Sequence, residues 1–208
     1  MGATMRTAAV LAIAALCVVG AAPAHAQTDQ WFGASWQMSQ GLANTHDFTP
    51  AYSFRGLGIE WRWVHGSTSV GLNAAWNVMD DVRTETASVG GVDLTGKQFR
   101  YVNAWPIMLS AHLYLGKPEG ARAYLGVNGG TYYIERLVDV GTFEVKDHNW
   151  HGGVAPEVGF AFPLRGGMGN TAFFATGRYN YAFAAGDAPY QSWISVHIGF
   201  AWRKLGGI

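Results

Sequence analysis

Polar and apolar side chains take turns along this chain with a period of two, the spacing of a β-strand whose faces meet different surroundings. In Leu57-Gly58-Ile59-Glu60-Trp61-Arg62-Trp63, Leu, Ile and both Trp share one face, while Gly, Glu and Arg share the other. Over 70–78, Val70, Leu72, Ala74, Trp76 and Val78 oppose Gly71, Asn73, Ala75 and Asn77. Towards the end, Ile194, Val196, Ile198, Phe200 and Trp202 alternate with Trp193, Ser195, His197, Gly199 and Ala201. A helical period would not sort these residues so cleanly.

The pattern predicts eight strands, over 31–41, 54–65, 68–79, 99–115, 121–134, 150–163, 171–183 and 191–203. Each approaches the roughly 9–11 residues with which a tilted strand crosses a bilayer, and the third to fifth extend beyond it. The joins alternate in length. His65-Gly66-Ser67, Gly116-Lys117-Pro118-Glu119-Gly120 and the Gly-rich 164–170 are short, whereas 80–98 and 135–149 are longer and polar. Short turns at one end and long loops at the other predict periplasmic termini and extracellular loops. The 80–98 segment, with Asp80, Asp81, Arg83, Glu85, Asp93 and Lys97, is expected to project as a loop, the kind of place where binding resides.

Charge is scarce. Asp, Glu, Lys and Arg make up 13% of the chain, against about a quarter in ordinary domains, while there are 9 Trp and 28 Gly. So few charges coat a water-facing surface poorly, yet the best candidate membrane helix, 101–116, contains Asn103, Pro106, Ser110 and His112. Low charge without a membrane helix points to the closed barrel. The 14 basic residues equal the 14 acidic ones, which leaves no basic footprint for nucleic acid.

The apolar face must then look outward. A soluble lipocalin-type barrel would hold it inside, but a narrow eight-stranded interior has little room for so many rings. Trp36, Trp63, Trp76, Trp105, Phe173, Phe200 and Trp202 are expected to face lipid, several of them near strand ends as interfacial girdles require. The glycine-rich opposite face would line the lumen. Glu60, Arg62, Glu157 and Arg178 are expected there as a balanced polar network, structural or gating, accompanied by Arg100, Arg122, His112 and His197.

The first residues read as a signal peptide over 1–26: Arg6, an uncharged apolar run over 8–19, then Ala24-His25-Ala26 as a cleavage site. Residues 27–208 would form one barrel domain. Cys17 follows Leu16 where a lipobox needs a small residue, so lipidation is not expected, and the domain has no cysteine for a disulfide.

Several stretches together resemble the outer-membrane β-barrel domain family, small porin-like barrels of OmpA/OmpX and OmpW type. They are Trp105-Pro106-Ile107-Met108-Leu109 with Leu113-Tyr114-Leu115, Ala123-Tyr124-Leu125-Gly126-Val127-Asn128-Gly129-Gly130, Ala155-Pro156-Glu157-Val158-Gly159-Phe160, Arg178-Tyr179-Asn180-Tyr181 and Ile198-Gly199-Phe200-Ala201-Trp202. The resemblance implies an all-β, eight-stranded antiparallel up-and-down barrel in the outer membrane of a Gram-negative-type bacterium. It implies no single activity. Members usually finish on an aromatic residue read by the barrel-assembly machinery; here 203–208 follow Trp202, and Phe200 with Trp202 are expected to serve as a displaced signal.

The functional expectation is a structural or surface-interaction role, with a narrow channel for small solutes as the alternative by OmpW-type resemblance. A lipid A-modifying hydrolase or transferase is the lesser alternative, since Ser110 and His112 share a face, though one that points away from lipid. Asp147-His148-Asn149-Trp150-His151 gathers metal-binding types without metal-site spacing and reads as the end of a solvated loop. No cofactor or metal is expected. The expected partners are outer-membrane lipids, the assembly machinery and an unidentified extracellular ligand, with the protein itself a monomer.

Overall fold

The structure, a computed structural model, describes residues 29–89, 92–117, 120–140, 143–164 and 170–204. The expected signal peptide and residues 205–208 lie outside the described residues. The strands are β1 (Asp29–Leu42), β2 (Tyr52–Ser53), β3 (Arg55–His65), β4 (Thr68–Val89), β5 (Val92–Leu115), β6 (Arg122–Val140), β7 (Phe143–Leu164), β8 (Thr171–Ala182) and β9 (Gln191–Lys204); a short helix, α1 (Asn44–Phe48), follows β1. None of the described helices is long and apolar enough to cross a membrane.

Neighbours in sequence are neighbours in space, all antiparallel, and β1 pairs with β9 to close the ring. That seam runs from Gln30↔Lys204 to Leu42↔Ser192, and Arg203 Nη2 donates to Asp29 Oδ1 at 2.6 Å across its lower end. The two-residue β2 adds no ninth wall strand. Trp36 pairs with Leu57 and Ser39 with Ser53, so β1 advances three residues while its partner advances four. The extra residue is a bulge, and β2 continues β3 past it. The Ser53 hydroxyl tightens the bend by donating to the Val78 carbonyl and accepting from the Arg55 N–H.

Alternation sets the two faces. Leu57, Ile59, Leu72, Ile107, Leu109, Leu125, Val158 and Phe160 are exposed on the outer wall, whereas Arg62, Asn73, Asn128, Glu157, Arg178 and His197 are buried inside. The barrel is inside-out. Two bands of rings bracket the apolar outer wall. Near the short-turn end lie Trp61, Trp63, Phe160, Phe162, Phe173, Phe200 and Trp202; towards the other end lie Trp36, Trp76, Trp105, Tyr133, Trp150 and Tyr181. Ten residues at about 3.3 Å each, tilted by about 40°, rise roughly 25 Å, the height of a membrane barrel's apolar band.

The polar segments 80–98 and 135–149 are not loops. The β4–β5 ladder runs on to Val89↔Val92 and the β6–β7 ladder to Val140↔Phe143, so both form long hairpins beyond the aromatic band. Their β-branched residues, such as Thr84, Thr86, Val138 and Val145, favour strand wherever backbone ladders can continue, whatever the polarity of the neighbours. The cluster 147–151, expected at a loop end, is likewise inside β7. Two prolines interrupt the ladders locally: the β4–β5 pairing skips the residues around Pro106, and the β7–β8 pairing skips those around Pro156, because proline has no N–H to donate.

The interior holds more rings than its glycines suggest. Trp31, Tyr114, Tyr124, Tyr132, Phe174 and Trp193 all point inward. The glycines make this possible. A Cβ on Gly153 would stand 2.6 Å from Tyr132 Cε2, one on Gly199 2.9 Å from Phe174 Cζ, and one on Gly159 would collide with the Tyr124 ring.

Candidate functional site

Facing strands bring Glu60, Arg62, Glu157 and Arg178 together in the lower lumen, towards the short turns. Arg62 Nη2 donates to Glu60 Oε2 at 2.8 Å and stands 3.8 Å from Glu157 Oε1. Arg178 Nε donates to Glu157 Oε2 at 2.7 Å. Cross-strand register sets this up, since Glu157 lies opposite Arg178 on β8, and directly opposed side chains are within reach.

Glu157 is the hub. Its side chain has no exposed surface. His112 Nε2 meets Oε1 at 2.6 Å and Asn128 Nδ2 donates to Oε2 at 2.9 Å. Asn73 links the set sideways: it donates to Asn128 Oδ1 at 2.8 Å and accepts from Arg178 Nη1 at 3.1 Å. Arg62 Nη1 donates to the Tyr114 hydroxyl at 3.0 Å. Tyr124 and Thr176 join hydroxyls beside it. Six strands, β3 to β8, thus contribute side chains, and two carboxylates face two guanidinium groups. Asn180 with Ser195, and Ser195 with His197, continue the bonding towards β9 at 3.0 and 2.8 Å.

Sequence reasoning did not find Ser69. The shared face of Ser110 and His112 suggested a pair, but His112 Nδ1 instead lies 3.0 Å from Ser69 Oγ, its directly opposed neighbour on β4. Residues two apart on one strand face have Cβ atoms roughly 7 Å apart, whereas opposed residues are about 5 Å apart. The β4–β5 register, countable from Val89↔Val92, would have supplied this partner. The resulting Ser69–His112–Glu157 string has the order of a hydrolase triad, but Ser69 is 2% exposed and faces the lumen, where lipid esters have no approach.

Above the polar layer lies an apolar cluster, though the upper lumen also buries Ser39, Asn77, Gln98 and Gln191. Met79, Val102, Met108, Tyr132, Ile134 and Trp193 pack into one buried cluster. The α1 segment covers it. Thr45 is fully buried, its hydroxyl donating to Gln191 Oε1 at 2.8 Å and accepting from the Ser192 N–H at 3.1 Å. The Phe48 ring packs against the cluster, 4.0 Å from the Arg136 guanidinium carbon and 5.4 Å from that of Arg100. Outside the apolar band, burial lowers the Arg136 pKa despite Asp147 across the hairpin.

On the outer wall stand all seven aromatics singled out from the sequence. Trp36, Trp76, Phe200 and Trp202 are nearly half exposed. Trp63, Trp105 and Phe173 are partly covered by Trp61, Tyr133 and Phe200. The 147–151 cluster is split by strand alternation: His148 lies tilted against Tyr133 outside, while His151 Nδ1 meets the Phe183 carbonyl at 2.7 Å inside. Among the described residues no group of three His, Cys, Asp or Glu is placed to hold a metal ion.

An eight-stranded antiparallel ring with rings of aromatics outside and paired charges inside is the architecture of the small outer-membrane β-barrels, and this chain has that fold. Three solved structures carry the comparison. The outer-membrane protein OprG of Pseudomonas aeruginosa matches with a TM-score of 0.55 at 15% identity, over 88% of this chain and 98% of that one. Neisserial surface protein A matches with 0.53 at 13%, over 84% and 96%. Ail, the attachment invasion locus protein of Yersinia pestis, solved with the heparin analogue sucrose octasulfate, matches with 0.51 at 9%, over 86% and 99%. No family model and no curated protein matches the chain.

Proposed function

We propose that the protein is an integral barrel of a Gram-negative outer membrane whose lumen is sealed, and that it serves as a structural scaffold displaying surface-interaction hairpins. The observation that carries this reading is Glu157: fully enclosed, it ties side chains of β3, β5, β6 and β8 into one layer across the lumen. In this reading both termini lie in the periplasm and the β4–β5 and β6–β7 hairpins stand outside, with lipid against the two aromatic bands. Ail's name attaches a surface role to a barrel of this fold. Folded protein in a planar bilayer at neutral pH is expected to pass negligible current; steady unitary steps would overturn the sealed scaffold. The outward faces have their own test. Leu72→Arg, on the outer wall, is expected to cost about 2–4 kcal/mol and hamper insertion. Asn73→Arg is expected to insert but crowd Arg178, and equal tolerance at both sites contradicts the assignment.

The apolar upper lumen supports a second reading, a narrow path for small solutes that opens when α1 moves. A current that appears only when α1 is altered would favour it.

A further inference from the structure

The floor of the polar layer is also the roof of an open cup at the short-turn end of the barrel. Its walls are apolar, formed by Trp31, Val64, Pro163, Ala172, Phe174 and Ala201. Ala172 and Ala201 face one another across the β8–β9 ladder, and their small side chains leave the space that the surrounding rings enclose. About 60 Å³ is open to the centres of water molecules. That is several times the roughly 10–15 Å³ one water needs, and because the cup is open at its mouth an aromatic ring can enter it in part.

Two guanidinium groups border this apolar space. Arg62 lines the inner wall with its side chain 7% exposed, and its Nε is buried without a hydrogen-bond partner. A buried donor left without an acceptor is costly. Arg122 lines the cup beside Tyr114, with its guanidinium carbon 4.6 Å from that ring's centre and Nη1 donating to the Gly66 carbonyl at 3.1 Å. It forms no ion pair with a carboxylate among the described residues. The acid in the cup, Glu60, is already tied to Arg62 at 2.8 Å.

From this juxtaposition of an apolar ring-walled cup and a cation that meets no carboxylate among the described residues, we infer that the cup is a binding site for a small aromatic monocarboxylate. The ring fills the space beside Trp31 and Phe174, and the carboxylate answers the guanidinium donors. This goes beyond the scaffold role. Binding here and conductance through the lumen are read separately, so either idea can fail alone.

The test is calorimetric titration of the folded barrel in lipid nanodiscs with 3-phenylpropionate, subtracting heats from empty discs. Saturable binding is expected, with 3-phenylpropan-1-ol and acetate each at least tenfold weaker, since one lacks the charge and the other the ring. Arg122→Gln is expected to weaken the acid at least fivefold and leave the alcohol unchanged. Ala172→Leu and Ala201→Leu, two independent ways of filling the cup, are expected to abolish binding while the band still shifts on boiling in SDS gels. No heat above empty discs, equal binding of acid and alcohol, or full binding by the two folded leucine variants overturns the site.

Discussion

In the lower lumen Glu157 meets Arg62, His112, Asn128 and Arg178, whereas in the upper lumen Met79, Val102, Met108, Tyr132 and Trp193 meet mainly one another. Both layers fill the same narrow tube, with opposite chemistry. The polar layer is directional, because each charge removed from water needs a partner at a fixed angle and distance. The apolar layer is not. Its side chains gain from contact of any orientation and can shift to fill a gap, methionines most readily. Each half is therefore vulnerable in its own way: the lower to loss of a partner, the upper to loss of volume.

The most damaging single change should therefore fall on Glu157. Glu157→Ala leaves two guanidinium groups facing a buried hole, and breaking a buried pair from one side costs about 3–5 kcal/mol. Glu157→Gln keeps the shape and some hydrogen bonds, so it should fall between the wild type and the alanine variant. Urea unfolding in lipid vesicles, followed by tryptophan fluorescence and by gel shift on boiling, reads both. In the upper half Met108→Ala should cost about 2–3 kcal/mol, the low part of the range for buried methionine truncation, because Met79 can move into the space. Met108→Leu should cost less than about 1.5 kcal/mol. If Met108→Ala proved the more damaging, the contrast between directional and adaptable halves would be wrong.

The sequence carried the wall better than its contents. Alternation in 57–63 and 191–203 placed Trp61 outside and Arg62 inside without any knowledge of contacts, because strand pleat alone decides the face. It placed Glu60, Arg62, Glu157 and Arg178 on the inner wall for the same reason. Alternation says nothing about height around the ring, so it could not join Ser69 to His112, which needs the β4–β5 register, or Asn73 to Arg178, which needs the registers of several strands in succession. The polar runs 80–98 and 135–149 read as loop because they are polar, although strand continues in water wherever a hairpin pairs its own backbone. Least legible was α1. Nothing in Asn44–Phe48 announces that Phe48 will lie beside two arginines drawn from β5 and β6.

Phe48 also offers the finest test of the comparison between the two halves. Its ring sits between the Arg100 and Arg136 guanidinium groups above the apolar cluster, and contacts of this kind are worth about 1–2 kcal/mol when partly desolvated. Phe48→Ala should therefore lower stability by at least that much, the lost packing on the apolar cluster adding to it. Its electrical effect separates the layers. If the charged layer around Glu157 is the seal, removing the Phe48 ring uncovers the mouth without opening a path, and the variant stays silent in a planar bilayer. Phe48→Ala combined with Arg178→Ala should then conduct, since the second change removes a partner from the layer below. Current through Phe48→Ala alone would place the seal in the upper half, and the polar layer would have to be leaky to ions despite its bonded side chains. In that case the narrow solute path, gated by α1, becomes the better account of the barrel.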